Sequence, residues 1–261
     1  MNKYLLKSYL LTTALIISSV MTAQVNRNKG IIWSAIRGLE YQIKAGFNIG
    51  GVSPLPLPSE IRKINSYRPE LSFSLGTEIT KWFGEDFKYG VITGISFESK
   101  SMSTDATVKN YGMELIEQGQ KVSGRWTGDV QTKFRSTYLT VPILFGFKVS
   151  TRVVLKTGPY FSYVLDRNFS GYVHDGYLRA GDPTGVKTEY KDGKTAPYDF
   201  STDLRKFQWG MRLAAEWRAF EHLNVFGDLN WGLNDAFKKD FKTITFAMYP
   251  IYLNVGFGYA F

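Results

Sequence analysis

The last eleven residues, 251–261, constrain the fold more than any other stretch. Ile251, Leu253, Val255, Phe257, Tyr259 and Phe261 alternate with Tyr252, Asn254, Gly256, Gly258 and Ala260. A strand sends alternate side chains to opposite faces, so one face is wholly apolar and the other small or polar. Seven other segments carry the same period: 40–50, 69–80, 89–101, 135–149, 152–166, 204–219 and 222–234. In the first, Tyr41, Ile43, Ala45, Phe47 and Ile49 oppose Gln42, Lys44, Gly46 and Asn48. In the seventh, Leu223, Val225, Leu229, Trp231 and Leu233 oppose Asn224, Phe226, Asp228, Asn230 and Asn234. Closed single-chain bacterial barrels need an even strand count. The expected fold is all-β: a transmembrane antiparallel up-and-down β-barrel of about eight strands.

The connections carry independent information. Links one, three, five and seven are long, at 51–68, 102–134, 167–203 and 235–247. Links two, four and six are shorter, at 81–88, 150–151 and 220–221. An up-and-down barrel puts odd links at one rim and even links at the other. Long extracellular loops and short periplasmic turns are the bacterial arrangement, and it leaves both termini periplasmic. About ten residues at ~3.4 Å each, tilted about 40°, give the ~25 Å of an apolar belt. Aromatic residues fall near the expected rims, where amphipathic rings prefer to sit. Trp82, Phe83, Trp217, Phe220 and Phe261 mark the periplasmic side, and Phe97, Trp209, Trp231 and Tyr249 the outer side. Pro142 and Pro159 fall inside adjacent strands of a barrel with no edge to hide a missing donor, so a shared bulge is expected there.

The domain reading is 1–23 as a cleaved signal peptide, 24–37 as an N-terminal periplasmic segment and 38–261 as the barrel. Lys3 and Lys7 start the signal, residues 10–21 form a short apolar stretch, and Ala23 before Gln24 offers the cleavage point. No later run approaches the ~18 apolar residues of a spanning helix. Losing 1–23 removes two positive charges, taking the formal net charge from +9 to +7. Export argues against nucleic acid as the reason for this balance. Anionic lipid or polysaccharide and simple solubility of exposed loops stay open as explanations. The absence of cysteine leaves no disulfide, thiol catalysis or acylated lipoprotein anchor.

Three stretches carry a resemblance: Tyr138-Leu139-Thr140-Val141-Pro142-Ile143, then Gly158-Pro159-Tyr160-Phe161, and the aromatic-ended 255–261. With them the mature chain resembles the Bacteroidetes outer-membrane β-barrel family often called PorT-like. The resemblance implies export to the outer membrane of a Gram-negative bacterium. One branch of that family serves protein secretion. Phe257, Tyr259 and the terminal Phe261 are similar to the signal read by the outer-membrane assembly machinery. Outer-membrane lipid and that machinery are the partners this implies.

Chemistry is expected inside the barrel or on its loops. The inward set includes Lys44, Glu78, Glu98, Lys148, Lys156, Arg212, Glu216, Arg218 and Asp228. Isolated buried charges are costly, so these are expected to pair into a plug in a lumen that eight strands already fill. No catalytic residue, cofactor or metal site is assigned. His174 beside Asp175 and His222 beside Glu221 are the only histidines, and no nucleophile is fixed near either by sequence. Gly181-Asp182-Pro183-Thr184-Gly185-Val186-Lys187 fails as a phosphate loop, because Val186 separates Gly from Lys. Asp182 and Asp192 fit no twelve-residue calcium loop. Within the long links, 188–190 and 194–196 flank a Lys191-Asp192-Gly193 turn, and 113–116 and 121–126 flank Gln118-Gly119-Gln120. Such hairpins would raise a platform for a protein partner outside the cell. The leading expectation is a non-enzymatic barrel presenting these loops within a secretion or envelope assembly. An outer-membrane enzyme with a rim or loop site for lipid or peptide, and an exported soluble β-sandwich, stay open as alternatives.

Overall fold

Eight long strands close on themselves, each formed by one of the eight alternating segments. The structure, a computed structural model, describes residues 38–84, 86–117 and 119–261. The signal segment 1–23 and the segment 24–37 lie outside the described residues. The strands are β1 (Leu39–Pro54), β2 (Ile61–Pro69), β3 (Phe73–Phe83), β4 (Tyr89–Glu117), β5 (Gln120–Lys148), β6 (Val153–Ala180), β7 (Lys187–Tyr190), β8 (Ala196–Asp199), β9 (Phe207–Arg218), β10 (Leu223–Gly232) and β11 (Met248–Ala260). Antiparallel pairing runs β1–β3–β4–β5–β6–β9–β10–β11 and returns to β1 through Gln42↔Ala260 to Pro54↔Met248. Within the lipid belt, closure leaves the ring strands paired on both sides, which a hydrocarbon environment demands.

Burial runs opposite to that of a soluble protein. On β10 the buried residues are Asn224, Phe226, Asp228 and Asn230, while Trp231 faces out. Leu253, Phe257 and Tyr259 of β11 are likewise exposed, opposite buried Tyr252 and Asn254. A contiguous apolar face of this extent marks a surface that meets lipid.

Above the outer rim the sense of the alternation reverses. On β4 the inward side chains change from Ser96, Glu98 and Lys100 to Met102, Ala106 and Val108. The outward ones change from Val91, Ile95 and Phe97 to Ser103, Asp105 and Thr107. β5 changes in the same way between Phe134 and Ser136. β6 changes phase through a bulge: the register slips by one between Thr137↔Asp166 and Tyr138↔Val164, leaving Leu165 unpaired. Beyond it Phe169 and Val173 point inward. The outer halves of β4–β6 thus enclose an ordinary apolar core, with Trp126, Phe134, Phe169, Tyr198, Phe200 and Phe237 buried in it.

One expected hairpin forms and two expectations change. The hairpin expected around 118–120 does form and extends through almost all of the second long link, since β4 reaches Glu117 and pairs it with Gln120 of β5. The third does not form a hairpin around Asp192, because β7 and β8 each pair with β6 rather than with one another. Together they form one interrupted return strand, broken where Asp192 and Gly193 adopt φ of 56° and 80°. Lastly, no bulge forms at the prolines. Pro142↔Tyr160 and Phe145↔Thr157 keep one register, and Pro159↔Met211 lies in an unshifted ladder. The ladder with β4 instead lapses between Thr93↔Ile143 and Ser96↔Thr140, and Thr93 Oγ1 donates to Pro142 O at 2.9 Å.

Candidate functional site

The lumen divides into three storeys, of which the middle one is filled. At the periplasmic mouth a vestibule of about 310 Å³ is bordered by Trp82, Lys148, Arg152, Lys156, Glu216 and Arg218. Trp82, expected at the membrane interface, turns inward instead and is 8% exposed. Gly90 makes room for it, since a Cβ there would lie 2.6 Å from the indole Cε3. The indole Nε1–H donates to Glu40 Oε2 at 2.7 Å. Phe83, Trp217, Phe220 and Phe261 do face outward on this side, as do Phe97, Trp209 and Trp231 on the other.

The middle storey is a single file of charges of alternating sign. Glu216 pairs with Lys156 at 2.6 Å, and Lys156 with Glu78 at 2.6 Å. Glu78 pairs with Lys44 at 3.0 Å, and Lys44 with Asp228 at 2.9 Å. Asp228 lies 3.8 Å from Arg212, Arg212 lies 3.1 Å from Glu98, and Glu98 lies 2.9 Å from Lys100. Most links join side chains from different strands, so the file crosses the bore rather than running along one wall. Four cations balance four carboxylates, which is what offsets their removal from water. Polar neighbours add to it: Asn230 accepts from Arg212 Nε at 2.6 Å, and Asn224 donates to Glu216 at 2.8 Å. The void beside the file holds about 30 Å³, room for a water or two.

Seven of the nine charges expected in the lumen stand in this file. Lys148 and Arg218 do not, and no carboxylate pairs with either among the described residues. Both sit at the wet periplasmic mouth, where Lys148 Nζ lies 4.0 Å above the Trp82 ring. Sequence reasoning misses Lys100, although it lies two residues beyond Glu98 on the same face. Its ammonium also faces the rings of Tyr138, Tyr160 and Tyr252 at 4.8–5.8 Å.

The third storey is an apolar cavity of about 380 Å³ beneath the outer extension. On the outside of that extension, His174 has a carboxylate at each ring nitrogen. Asp175 Oδ2 is 2.8 Å from Nδ1 and Asp105 Oδ2 is 3.5 Å from Nε2. Donor atoms of Asp129, His174 and Asp175 fall within 4.8 Å of one another. Partial burial opposes the charge on His174, but hydrogen bonds to Asp175 and Asp105 outweigh it and raise the imidazole above its usual value. His222 sits elsewhere, its Nδ1 2.8 Å from Ala260 O at a periplasmic turn. In the 181–188 stretch, 181–186 is a turn in which Asp182 accepts from Thr184 N–H at 2.7 Å, and Lys187 and Thr188 open β7. Phe257, Tyr259 and Phe261 line the outward face of the closing strand, with the last two rings edge to face at 5.1 Å.

A closed ring of eight strands, apolar outside and charged within, defines a transmembrane β-barrel of the bacterial outer-membrane kind. The chain belongs to the family of outer membrane protein β-barrel domains, whose sequence model matches residues 22–238. Three solved structures are similar at low identity. Ail, the attachment invasion locus protein of Yersinia pestis, is 15% identical over 85% of this chain and 98% of its own, with a TM-score of 0.39. A major outer membrane protein from Thermus thermophilus is 15% identical over 86% and 100%, with a TM-score of 0.40. OprG from Pseudomonas aeruginosa is 12% identical over 85% and 95%, with a TM-score of 0.33. A search of curated proteins finds no match.

Proposed function

We propose that this outer-membrane barrel is non-enzymatic and non-conducting, and that it works by holding a rigid β platform outside the cell for a protein partner. The observation that carries this reading is the length of β4, β5 and β6. They have 29, 29 and 28 residues, where about ten suffice to cross the belt. The surplus is not loop but cored sheet. A folded extension of that size holds its outer face in one shape, which favours docking over a passive connection. The secretion and envelope-assembly role implied by the PorT-like resemblance fits such a platform, and so does reading the terminal aromatics as an assembly signal.

Two measurements test the two halves of the reading. In planar bilayers the purified barrel gives no discrete current steps, and steady ion-sized steps would overturn the sealed lumen. In intact cells, a photo-crosslinking residue placed at the exposed Val186 yields a discrete protein adduct, while the same residue at lipid-facing Phe97 does not. Identical outcomes at the two positions would remove the docking role.

A further inference from the structure

Among the described residues, backbone hydrogen bonds leave a seam open between β1 and β2. β1 pairs with β3 only as far as Phe47↔Phe73, and Asn48 N–H then reaches Ser72 O at 2.8 Å. Beyond that point β1 continues to pair with β11 on one side, while β2 pairs with β4 on its far side. No backbone pair joins β1 to β2 among the described residues. Side chains bridge the seam instead. Tyr67 Oη donates to Gly50 O at 2.7 Å, and Val52 N–H donates to the Met102 thioether at 3.3 Å.

Directly behind the seam lies the apolar cavity. Val52, Pro54, Ile61, Met102, Val108 and Phe246 contribute to its lining, with Thr104 and Thr132 among the few polar groups. Leu57, Ile64 and Tyr67 line it as well, yet each is about half exposed, so it opens between β1 and β2. Its floor is closed, because the charge file ending in Lys100 lies one inward position below Met102.

We propose that this cavity binds a single-chain amphiphile with an anionic head, admitted sideways through the β1–β2 seam just above the outer rim of the lipid belt. The lining fixes the apolar part, since most of the wall offers a polar group nothing to bond. A volume of about 380 Å³ lies near the lower end of the ~300–1,000 Å³ usual for small-molecule pockets, which suits one slender chain. The head is set by β2, where exposed Arg62, Lys63 and Arg68 neighbour the mouth residues Ile61, Ile64 and Tyr67. Lipid-facing Phe47, Ile49, Leu71 and Phe73 border the lower end of the seam, so the mouth opens immediately above the hydrocarbon.

The test uses the whole barrel in phosphatidylcholine nanodiscs, with dansyl-labelled undecanoic acid as probe and empty nanodiscs as background. The wild type shows saturable fluorescence that dodecanoate displaces. Ala106→Phe and, separately, Thr104→Phe fill the cavity and weaken binding at least tenfold, each variant being checked for the gel mobility of a folded barrel. The triple change Arg62→Glu, Lys63→Glu and Arg68→Glu weakens displacement by dodecanoate but not by dodecanol. Equal probe binding by the wild type and both filled variants would overturn the cavity as the site. Equal loss for the acid and the alcohol would overturn the anionic head.

Discussion

Each residue of the lumen file is held by neighbours of opposite sign, and that makes single substitutions costly. Lys156 sits between Glu78 and Glu216 at 2.6 Å each, and all three are buried. Lys156→Met strands Glu216 without its cation and is expected to lower unfolding stability by ~3–5 kcal/mol, read from urea titration of the barrel refolded in lipid vesicles. Lys148→Met, at the wet mouth, removes only a cation–π contact and should cost ~1 kcal/mol or less in the same titration. His174 gives a pH-dependent case. Its raised imidazole stabilises the extension fully below the unfolded value near 6.5, and that contribution is lost as pH rises through the folded value. Amide exchange in the outer parts of β4–β6 should therefore accelerate as pH climbs above about 6.5, beyond the intrinsic base-catalysed increase. His174→Gln should abolish that excess, and an unchanged excess in the variant would sink the assignment.

Strands of this barrel serve two solvents along their length. Trp126 belongs to the upper, water-facing part, where it packs edge to face on Tyr190 at 5.4 Å in the extension's core. Trp126→Ala is expected to cost ~3–5 kcal/mol locally. The result should be faster protease cleavage between residues 102 and 134, with the folded gel mobility of the barrel retained; loss of both together would show one cooperative unit instead. The same division explains what the sequence made legible. Inside the belt, lipid on one face and a polar bore on the other impose a clean period of two, so β9 and β10 can be read almost to the residue. Above the rim the hairpin of 113–116 and 121–126 is legible, but from Met102 the apolar side points inward and the polar side outward, so the continuity of β4 from the belt into that hairpin is hidden. The phase slip at Leu165 hides the continuation of β6 in the same way. The pairing of β7 and β8 with β6 is not legible at all, because four-residue strands specify no partner.

For the whole molecule, ring closure should make the fold resistant to detergent. Unheated samples of the membrane fraction are expected to run faster on a denaturing gel than boiled ones, and the absence of that shift would count against a closed barrel. The charge file extends the argument to the bore. Of its cations, Lys44, Lys156 and Arg212 are read as inward charge from the sequence and Lys100 is passed over although strand phase sets it beside Glu98, and the order of contacts is hidden for all four. Strand phase puts a side chain in the lumen, whereas its partner depends on tilt and stagger between strands far apart in sequence, as with Lys44 and Asp228.

The reversal of side-chain sense at the outer rim has one more consequence. Insertion into lipid reads only the lower part of each strand, and the docking proposed above would read only the upper part. Because the two jobs meet at a single level, near Met102, Ser136 and Leu165, substitutions above it are decoupled from those below. A graft cut at that level should exchange one exterior for another while the lipid-embedded chassis stays the same, so such a chain is free to diversify what it shows the outside world without relearning how to enter the membrane.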